Sequence, residues 1–271
     1  MSIARLMQMA RAGVPAGGWD LSNAVYSGVS FSLAAQDTIP TDIFFKSDGA
    51  KMYVLGDSGN DVNEYDLSTA WDISSASYLQ NFSIASQETN PTGLFFKPDG
   101  LKMYVVGVSG DEVNEYDLST AWDISSASYL QNFSVSAEES SPQGLFFKPD
   151  GTKMYVVGNS GDDVNEYDLS TAWDISSASY LQNFSVSGQD TNPHGLFFKP
   201  DGTKMYVAGN SGNDINEYNL STAWDISSAS YLQNFGVGAQ DATPQGVFFK
   251  PDGTKMYVVG SNTDSVFAYD L

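Results

Sequence analysis

Gly93-Leu94-Phe95-Phe96-Lys97-Pro98-Asp99-Gly100 is the stretch of sequence that decides the fold. The same eight residues recur at 144–151 and 195–202, and a copy with one change, Gly-Val-Phe-Phe-Lys-Pro-Asp-Gly, occupies 246–253. The step is 51 residues each time, and a weaker fifth copy, Asp-Ile-Phe-Phe-Lys-Ser-Asp-Gly, lies one step earlier at 42–49. A fixed period of this length indicates one supersecondary unit repeated along the chain.

One repeat contains the signals of four strands. In the fourth copy, residues 196–199 and 204–208 are β-prone runs, and Pro200-Asp201-Gly202 between them provides a hairpin turn. A third strand is predicted at 215–220 and a fourth at 231–235, joined by a longer connection that contains Trp-Asp. Four antiparallel strands in a repeat of this length are typical of a β-propeller blade.

The two ends of the chain indicate a closed ring. The last repeat stops at Tyr269-Asp270-Leu271, after its third strand. The segment Trp19-Asp20-Leu21-Ser22 matches Trp71-Asp72-Ile73-Ser74 and leads into a fourth strand through Tyr26 and Phe31. The N-terminal segment therefore supplies the strand that the last repeat lacks, which favours a ring over an open solenoid. We predict an all-β, five-bladed β-propeller with four antiparallel strands per blade.

The first half of each repeat resembles YVTN-type and NHL-type propeller repeats, which share the Pro-Asp-Gly hairpin, the Tyr-Val strand and the Asn-Ser-Gly loop. The Ser-Thr-Ala-Trp-Asp-Ile-Ser connection is not part of this resemblance, and the Gly-His element of WD repeats is absent. The segment 2–10 also looks like the start of some marine viral or bacterial propeller proteins. The resemblance implies the fold; such propellers are mostly scaffolds and binders but include enzymes.

Composition narrows the partners and the domain organisation. The net charge is −21, which makes nucleic acid and anionic membranes poor partners. No apolar run is long enough for a membrane span, no clear signal peptide is seen, and there is no cysteine. We expect residues 1–16 to be a tail outside the repeat, with one or two helical turns that dock on the domain, on another subunit or on an assembly partner. Residues 17–271 are predicted to form the single propeller domain, with an extracellular or virion-associated location as one option.

The repeats differ chiefly on one predicted face of the ring. One variable position lies in the loop between the second and third strands, where Asp57, Val108, Asn159, Asn210 and Ser261 are equivalent. The other follows the proline that leads into each blade. Because binding residues usually lie on loops of a rigid scaffold, we expect a ligand-binding ring at the mouth of the channel. Its residues are Thr41, Thr92, Gln143, His194 and Gln245. An equally open alternative is that these positions vary between the repeats because their packing is loose.

Few residues suggest catalysis. His194 is the only histidine, so a Ser-His-Asp or histidine-rich metal site cannot be assembled. Glu64, Glu115, Glu166 and Glu217 recur, with Ala268 in the fifth copy, and are interpreted as structural partners of the repeated lysines. Trp71, Trp122, Trp173 and Trp224 could stack on sugar rings, but inter-blade packing is favoured. Hard oxygen ligands for Ca²⁺ are offered by the loop residues Asp57, Asp61, Asp162 and Asp163, without EF-hand spacing.

Three classes of function remain. The favoured expectation is a non-catalytic, lectin-like binding module that recognises a surface ligand, either a glycan or a protein, through several similar sites. The alternative is a structural or assembly component of a virion or cell surface. An enzyme of the lactonase or quinoprotein kind comes third, because near-identical blades supply few of the unequal residues that catalysis needs. From sequence we therefore expect no enzyme activity and no cofactor, with Ca²⁺ as the one exception.

Overall fold

A computed structural model describes residues 18–271 of the protein, so the predicted helical tail 1–16 lies outside the described range. Twenty strands form five four-stranded antiparallel sheets, and the first strands of successive blades pack against one another around an axis. The predicted five-bladed β-propeller is confirmed. Within residues 18–271, no helix is long and apolar enough to cross a membrane.

Each blade runs outward from the axis in the order first, second, third and fourth strand. Blade 1 contains β2 (Pro40–Phe45), β3 (Lys51–Gly56), β4 (Asp61–Leu67) and β5 (Ala76–Ser83). Blade 2 contains β6 (Pro91–Phe96), β7 (Lys102–Gly107), β8 (Glu112–Leu118) and β9 (Ala127–Ser134). Blade 3 contains β10 (Pro142–Phe147), β11 (Lys153–Gly158), β12 (Asp163–Leu169) and β13 (Ala178–Ser185). Blade 4 contains β14 (Pro193–Phe198), β15 (Lys204–Gly209), β16 (Asp214–Leu220) and β17 (Ala229–Gly236).

Blade 5 is built from both ends of the described chain. Its inner strands are β18 (Pro244–Phe249), β19 (Lys255–Gly260) and β20 (Ser265–Asp270), and its outer strand is β1 (Val25–Ser32). The pairing of β1 with β20 is antiparallel and runs from Val25 opposite Asp270 to Ser32 opposite Ser265. The closure predicted from the offset of the chain ends is confirmed.

Short 3-10 helices precede the outer strand of every blade and carry the Trp-Asp motif at their start. Their bounds are Leu21–Asn23, Ile73–Ser75, Ile124–Ser126, Ile175–Ser177 and Ile226–Ser228. In each, the aspartate before the helix accepts a hydrogen bond from the backbone N–H two residues later, as Asp123 does from Ser125 at 3.0 Å. This capping fixes the connection that brings the tryptophan back to the hairpin turn.

The tryptophans join neighbouring blades. The Trp122 ring stacks on Phe96 of its own blade at 5.8 Å and on Phe44 of blade 1 at 6.4 Å. It also covers Gly100, which has a φ of 73°, and a Cβ there would lie 2.4 Å from the indole. Inter-blade packing, the favoured interpretation of the repeated tryptophans, is confirmed.

A tyrosine of the second strand ties each blade to the next. Tyr53 donates its hydroxyl hydrogen bond to the carbonyl of Trp122 at 2.6 Å, and Tyr257 of blade 5 donates to Trp71 of blade 1 at the same distance. These tyrosines are fully buried, so each hydroxyl needs its partner. The same bond repeated at all five interfaces makes the scaffold nearly five-fold symmetric.

Candidate functional site

The inner strands lead from the variable loops into the axis of the ring, and each carries an irregularity close to its start. In blade 1, Pro40 pairs with Gly56 and Asp42 pairs with Leu55, which leaves Thr41 as an extra residue. Such bulges redirect side chains and are common at binding sites. The structure places all five predicted mouth residues at these equivalent positions: Thr41, Thr92, Gln143, His194 and Gln245.

Four of the five mouth side chains make hydrogen bonds to their surroundings. Thr92 Oγ1 donates to the carbonyl of Pro142 in the next blade at 2.8 Å, and Gln245 Nε2 donates to Ser261 Oγ at 3.1 Å. Gln143 Nε2 donates to Ser141 Oγ at 3.2 Å. The mouth is therefore lined by neutral groups that can donate or accept hydrogen bonds, and its role in ligand binding stays a prediction.

His194 differs from the other mouth residues, because its Nε2 atom is buried and has no partner among residues 18–271. Burial lowers the pKa of His194 to about 4, and the nearby Asp190 carboxylate opposes this shift without cancelling it. The imidazole is therefore neutral at pH 7. A neutral imidazole with a free ring nitrogen can donate or accept one hydrogen bond at the mouth.

Asp42 breaks the five-fold symmetry of the axis. It occupies the position at which the other four blades have glycine: Gly93, Gly144, Gly195 and Gly246. The Asp42 side chain is 7% exposed, and its two oxygens accept the backbone N–H groups of Ile43 and of Leu94 in blade 2, both at 2.8 Å. On the other side, a Cβ on Gly246 would lie 2.3 Å from Asp42 Oδ1. One carboxyl therefore reaches from blade 1 to both neighbouring blades.

The environment of Asp42 makes it an acid that titrates near neutrality. Burial raises the pKa of Asp42 to about 7, even though the N–H groups of Leu94 and Ile43 favour the charged form. Sequence reasoning missed this residue, although the change from glycine to aspartate after Thr41 is visible when the five copies are aligned. Carboxyls whose pKa is shifted towards the working pH are typical of general acids and bases.

Below Asp42 the axis is closed by a ring of phenylalanines. Neighbouring rings meet edge to face with centroids 5.2 to 5.3 Å apart, and the set is Phe44, Phe95, Phe146, Phe197 and Phe248. Between these rings and Asp42 lies a cavity of about 10 Å³, which is near the minimum for a single water. The space beside Asp42 can therefore hold about one water.

The charges of the chain are distributed unequally between the two faces. All ten lysines lie at the first hairpin of a blade, two in each, on the face opposite the mouth. At the mouth-side loops, buried carboxylates instead hold backbone N–H groups, as Asp37 does for Gly59 at 2.9 Å and Ile39 at 2.7 Å. The mouth face therefore disfavours anionic ligands.

Of the four predicted calcium ligands, two accept hydrogen bonds from neighbouring asparagines and two lie in turns. Asp61 accepts hydrogen bonds from the amides of Asn63 and Asn81, and Asp163 accepts them from Asn165 and Asn183. Asp57 and Asp162 lie in the turns before these strands. Across 18–271, no three His, Cys, Asp or Glu side chains are grouped so as to hold a metal ion, and calcium binding stays a prediction.

No protein-family model matches the sequence, and no curated protein matches it either. Solved structures do resemble the fold. One is a Bacteroides uniformis protein named as a 6-phosphogluconolactonase, with a TM-score of 0.52 and 14% identity over 82% of this chain and 64% of that one. Another is the periplasmic gluconolactonase of Pseudomonas aeruginosa, with a TM-score of 0.50 and 17% identity over 85% of this chain and 66% of that one. A third is hydrazine synthase of Kuenenia stuttgartiensis, with a TM-score of 0.51 and 13% identity over 91% of this chain and 99% of that one.

These likenesses show the fold, and the chain spans less than two thirds of the length of the first of these proteins. They also correct two expectations from sequence. The prediction of a non-catalytic, lectin-like or assembly scaffold is wrong, as is the prediction that the chain is not an enzyme, because similar propellers are named as lactonases. The physical reason for the error is that near-identical blades were taken to exclude unequal axial residues, whereas one substitution, Asp42, creates one.

Proposed function

We propose that the protein hydrolyses a lactone at the channel mouth, with the Asp42 carboxylate as general base. The observation that carries this proposal is the single carboxyl on an otherwise glycine-lined layer of the axis, next in sequence to the ring of hydrogen-bonding mouth residues. The names of the similar lactonase propellers support the same chemistry.

The proposed reaction needs one residue to move a proton twice. Asp42 takes a proton from a water at the mouth while the water oxygen attacks the lactone carbonyl carbon. When the tetrahedral intermediate collapses, the bond from this carbon to the ring oxygen breaks, and Asp42 returns the proton to that oxygen. The product is an open hydroxy acid, which loses its carboxyl proton to solvent. A base with a pKa near the working pH is suited to both transfers.

The mouth favours a neutral, polyhydroxylated substrate. Its threonine, glutamine and histidine side chains offer neutral donors and acceptors, of which His194 Nε2 has no protein partner. The lysines that could neutralise a phosphate lie on the other face, and the net charge of the chain is −21. We therefore propose an unphosphorylated sugar lactone as the substrate class, rather than a phosphorylated one.

Hydrolysis of glucono-δ-lactone, measured by proton release above the spontaneous rate, tests this proposal. The wild-type chain is expected to accelerate the reaction, with a rate that rises as pH passes through about 7 because Asp42 must be ionised. Asp42→Gly, which restores the residue of the other four blades, is expected to remove the acceleration, a loss on the order of 100-fold or more. His194→Gln, which copies blades 3 and 5, is expected to raise KM more than it lowers kcat.

Asp264→Asn is the matched control, because the equivalent residues of blades 1 and 4 are Asn60 and Asn213 and the change removes a carboxylate from the same face. It is expected to keep the wild-type rate. A wild-type rate no higher than that of Asp42→Gly, both folded, would rule out the proposal. Faster turnover of the 6-phosphorylated lactone would contradict the proposed substrate class alone.

The type of repeat is a separate part of the proposal. The Pro-Asp-Gly hairpin, the Tyr-Val strand and the Asn-Ser-Gly loop support a YVTN- or NHL-type repeat, and the resemblance of the segment 2–10 supports a marine viral or bacterial kind. The net charge of −21 supports the exclusion of nucleic acid as a partner.

A further inference from the structure

A buried polar cluster recurs at four of the five blade interfaces. At the interface of blades 1 and 2, Glu64 is 1% exposed and accepts three donors. These are Lys51 Nζ at 2.5 Å, Gln80 Nε2 at 2.9 Å and the backbone N–H of Ile124 in the next blade at 3.3 Å. The equivalent carboxylates at the next three interfaces, with the same three kinds of donor, are Glu115, Glu166 and Glu217.

The interface between blades 5 and 1 keeps donors of this cluster but lacks its carboxylate. Ala268 stands in place of the glutamate, and Val29, which pairs with Ala268, stands in place of the glutamine. Among residues 18–271, Lys255 therefore has only Asp270 as a partner, at 2.5 Å. Its side chain is 33% exposed, against 20 to 23% for its four equivalents. The N–H of Ile73, which corresponds to that of Ile124, has no acceptor among residues 18–271.

The missing side chains leave an open cleft of about 450 Å³. Its lining includes the polar side chains of Lys250, Lys255 and Asp72 and the apolar side chains of Trp71 and Val29. At the other four interfaces a glutamate and a glutamine that bond to each other occupy the equivalent positions. The cleft is therefore a consequence of two substitutions in one blade, and it lies on the face that carries the lysines.

We propose that this cleft binds a small organic carboxylate, which takes the position of the missing glutamate group. One carboxylate oxygen accepts from Lys255 Nζ and the other from the Ile73 N–H, as Glu64 does from Lys51 and Ile124. The four intact interfaces show this arrangement of donors around a carboxylate in the same fold. The apolar side chains in the lining favour a carboxylate with a short aliphatic chain, which would lie along Trp71.

The site is expected to be weak and sensitive to salt. Asp72 and Asp270 also face the cleft, so an incoming anion meets two carboxylates as well as two lysines. Lys250 is already paired with Asp252 at 2.7 Å. A dissociation constant on the order of 1 mM is expected for the best short-chain acid.

Titration of the full chain with acetate and with butyrate, followed by the ¹H–¹⁵N shift of Ile73 and by Tm, tests the proposal. The atoms that glutamate has beyond alanine correspond to acetate, so acetate is the minimal probe. We expect saturable shifts at Ile73, a higher Tm with either acid, tighter binding of butyrate than of acetate, and no effect of acetamide at the same concentration. Lys255→Met is expected to weaken binding at least about tenfold.

Ala268→Glu with Val29→Gln restores the cluster of the other four interfaces and should fold, because it copies residues already present four times. It is expected to abolish the acetate effects, since its own carboxylate fills the site. Lys97→Met, which removes a lysine at a hairpin of blade 2, serves as the control and should bind as the wild type does. No saturable shift at Ile73, or equal binding by the variant with the restored cluster, would overturn the proposal and leave an adventitious additive only.

Discussion

At the scale of single residues, the most consequential change in the chain is the aspartate at position 42 on the axis. Four glycines show that the layer packs without a side chain, so the scaffold does not require Asp42. Burying a carboxyl there costs stability whenever the group is ionised in the unfolded chain. The proposed role of Asp42 as general base would account for keeping a residue that the scaffold does not need.

This cost can be measured as a pH dependence of stability. Because the pKa of Asp42 is raised from 3.8 to about 7 in the folded protein, its proton is held more tightly there than in the unfolded chain. The contribution of Asp42 is therefore most favourable below pH 3.8 and falls as pH rises to about 7. Asp42→Gly should gain stability relative to wild type over this interval, up to about 4 kcal/mol above pH 7.

Urea unfolding of both chains between pH 4 and pH 8 gives the comparison. Loss of the hydrogen bonds to Ile43 and Leu94 lowers the gain by an amount that does not depend on pH, so the slope is the informative quantity. A difference between the two chains that is the same at every pH would show that Asp42 has an ordinary pKa.

At the scale of strands and blades, the glutamates of the third strands act as inter-blade connectors. Each buried carboxylate bonds to the lysine of the second strand, the glutamine of the fourth and the backbone of the next blade. The outer partner of the same lysine matters less, since Asp117 is 49% exposed and blade 4 has Asn219 in its place. Exposed ion pairs contribute little, whereas a buried network that loses one member leaves its donors unpaired.

Two substitutions in blade 2 distinguish these contributions. Glu115→Ala is expected to lower the free energy of unfolding by about 2–4 kcal/mol, because it leaves buried donors at the interface with blade 3 without an acceptor. Asp117→Asn, which copies blade 4, is expected to cost less than about 1 kcal/mol. Chemical denaturation of each variant against wild type provides the measurement, and equal costs would contradict the assigned role of the glutamate.

At the scale of the whole molecule, what could be predicted from sequence follows from the repeat. The period, the hairpin chemistry and the offset of the chain ends were sufficient for five blades and for closure by β1. The phenylalanine ring was not predicted, because two consecutive phenylalanines in each inner strand leave open which one faces the axis. The cleft was hidden because Ser27 and Gly28 form a bulge in β1, which obscures the match between Val29 and the glutamines.

The properties of Asp42 belong to the entire ring, since all five blades contribute residues to the cavity beneath it. The residues next to position 42 in the sequence do not reveal that the other blades remove the Asp42 carboxyl from water. The same holds for the mouth, whose residues are separated by a full repeat in the chain and meet only when the ring closes. The proposed function therefore rests on the few departures from symmetry in an otherwise repetitive scaffold.

The most direct test is the titration of Asp42 itself, followed by its side-chain ¹³C carboxyl resonance in the full chain and assigned by its absence in Asp42→Gly. A midpoint at about pH 7 is expected, because the closed ring removes the carboxyl from water and leaves it two backbone donors. A midpoint near 3.8, the ordinary value for aspartate, would show that water reaches the group freely and that it is not a base tuned by the ring.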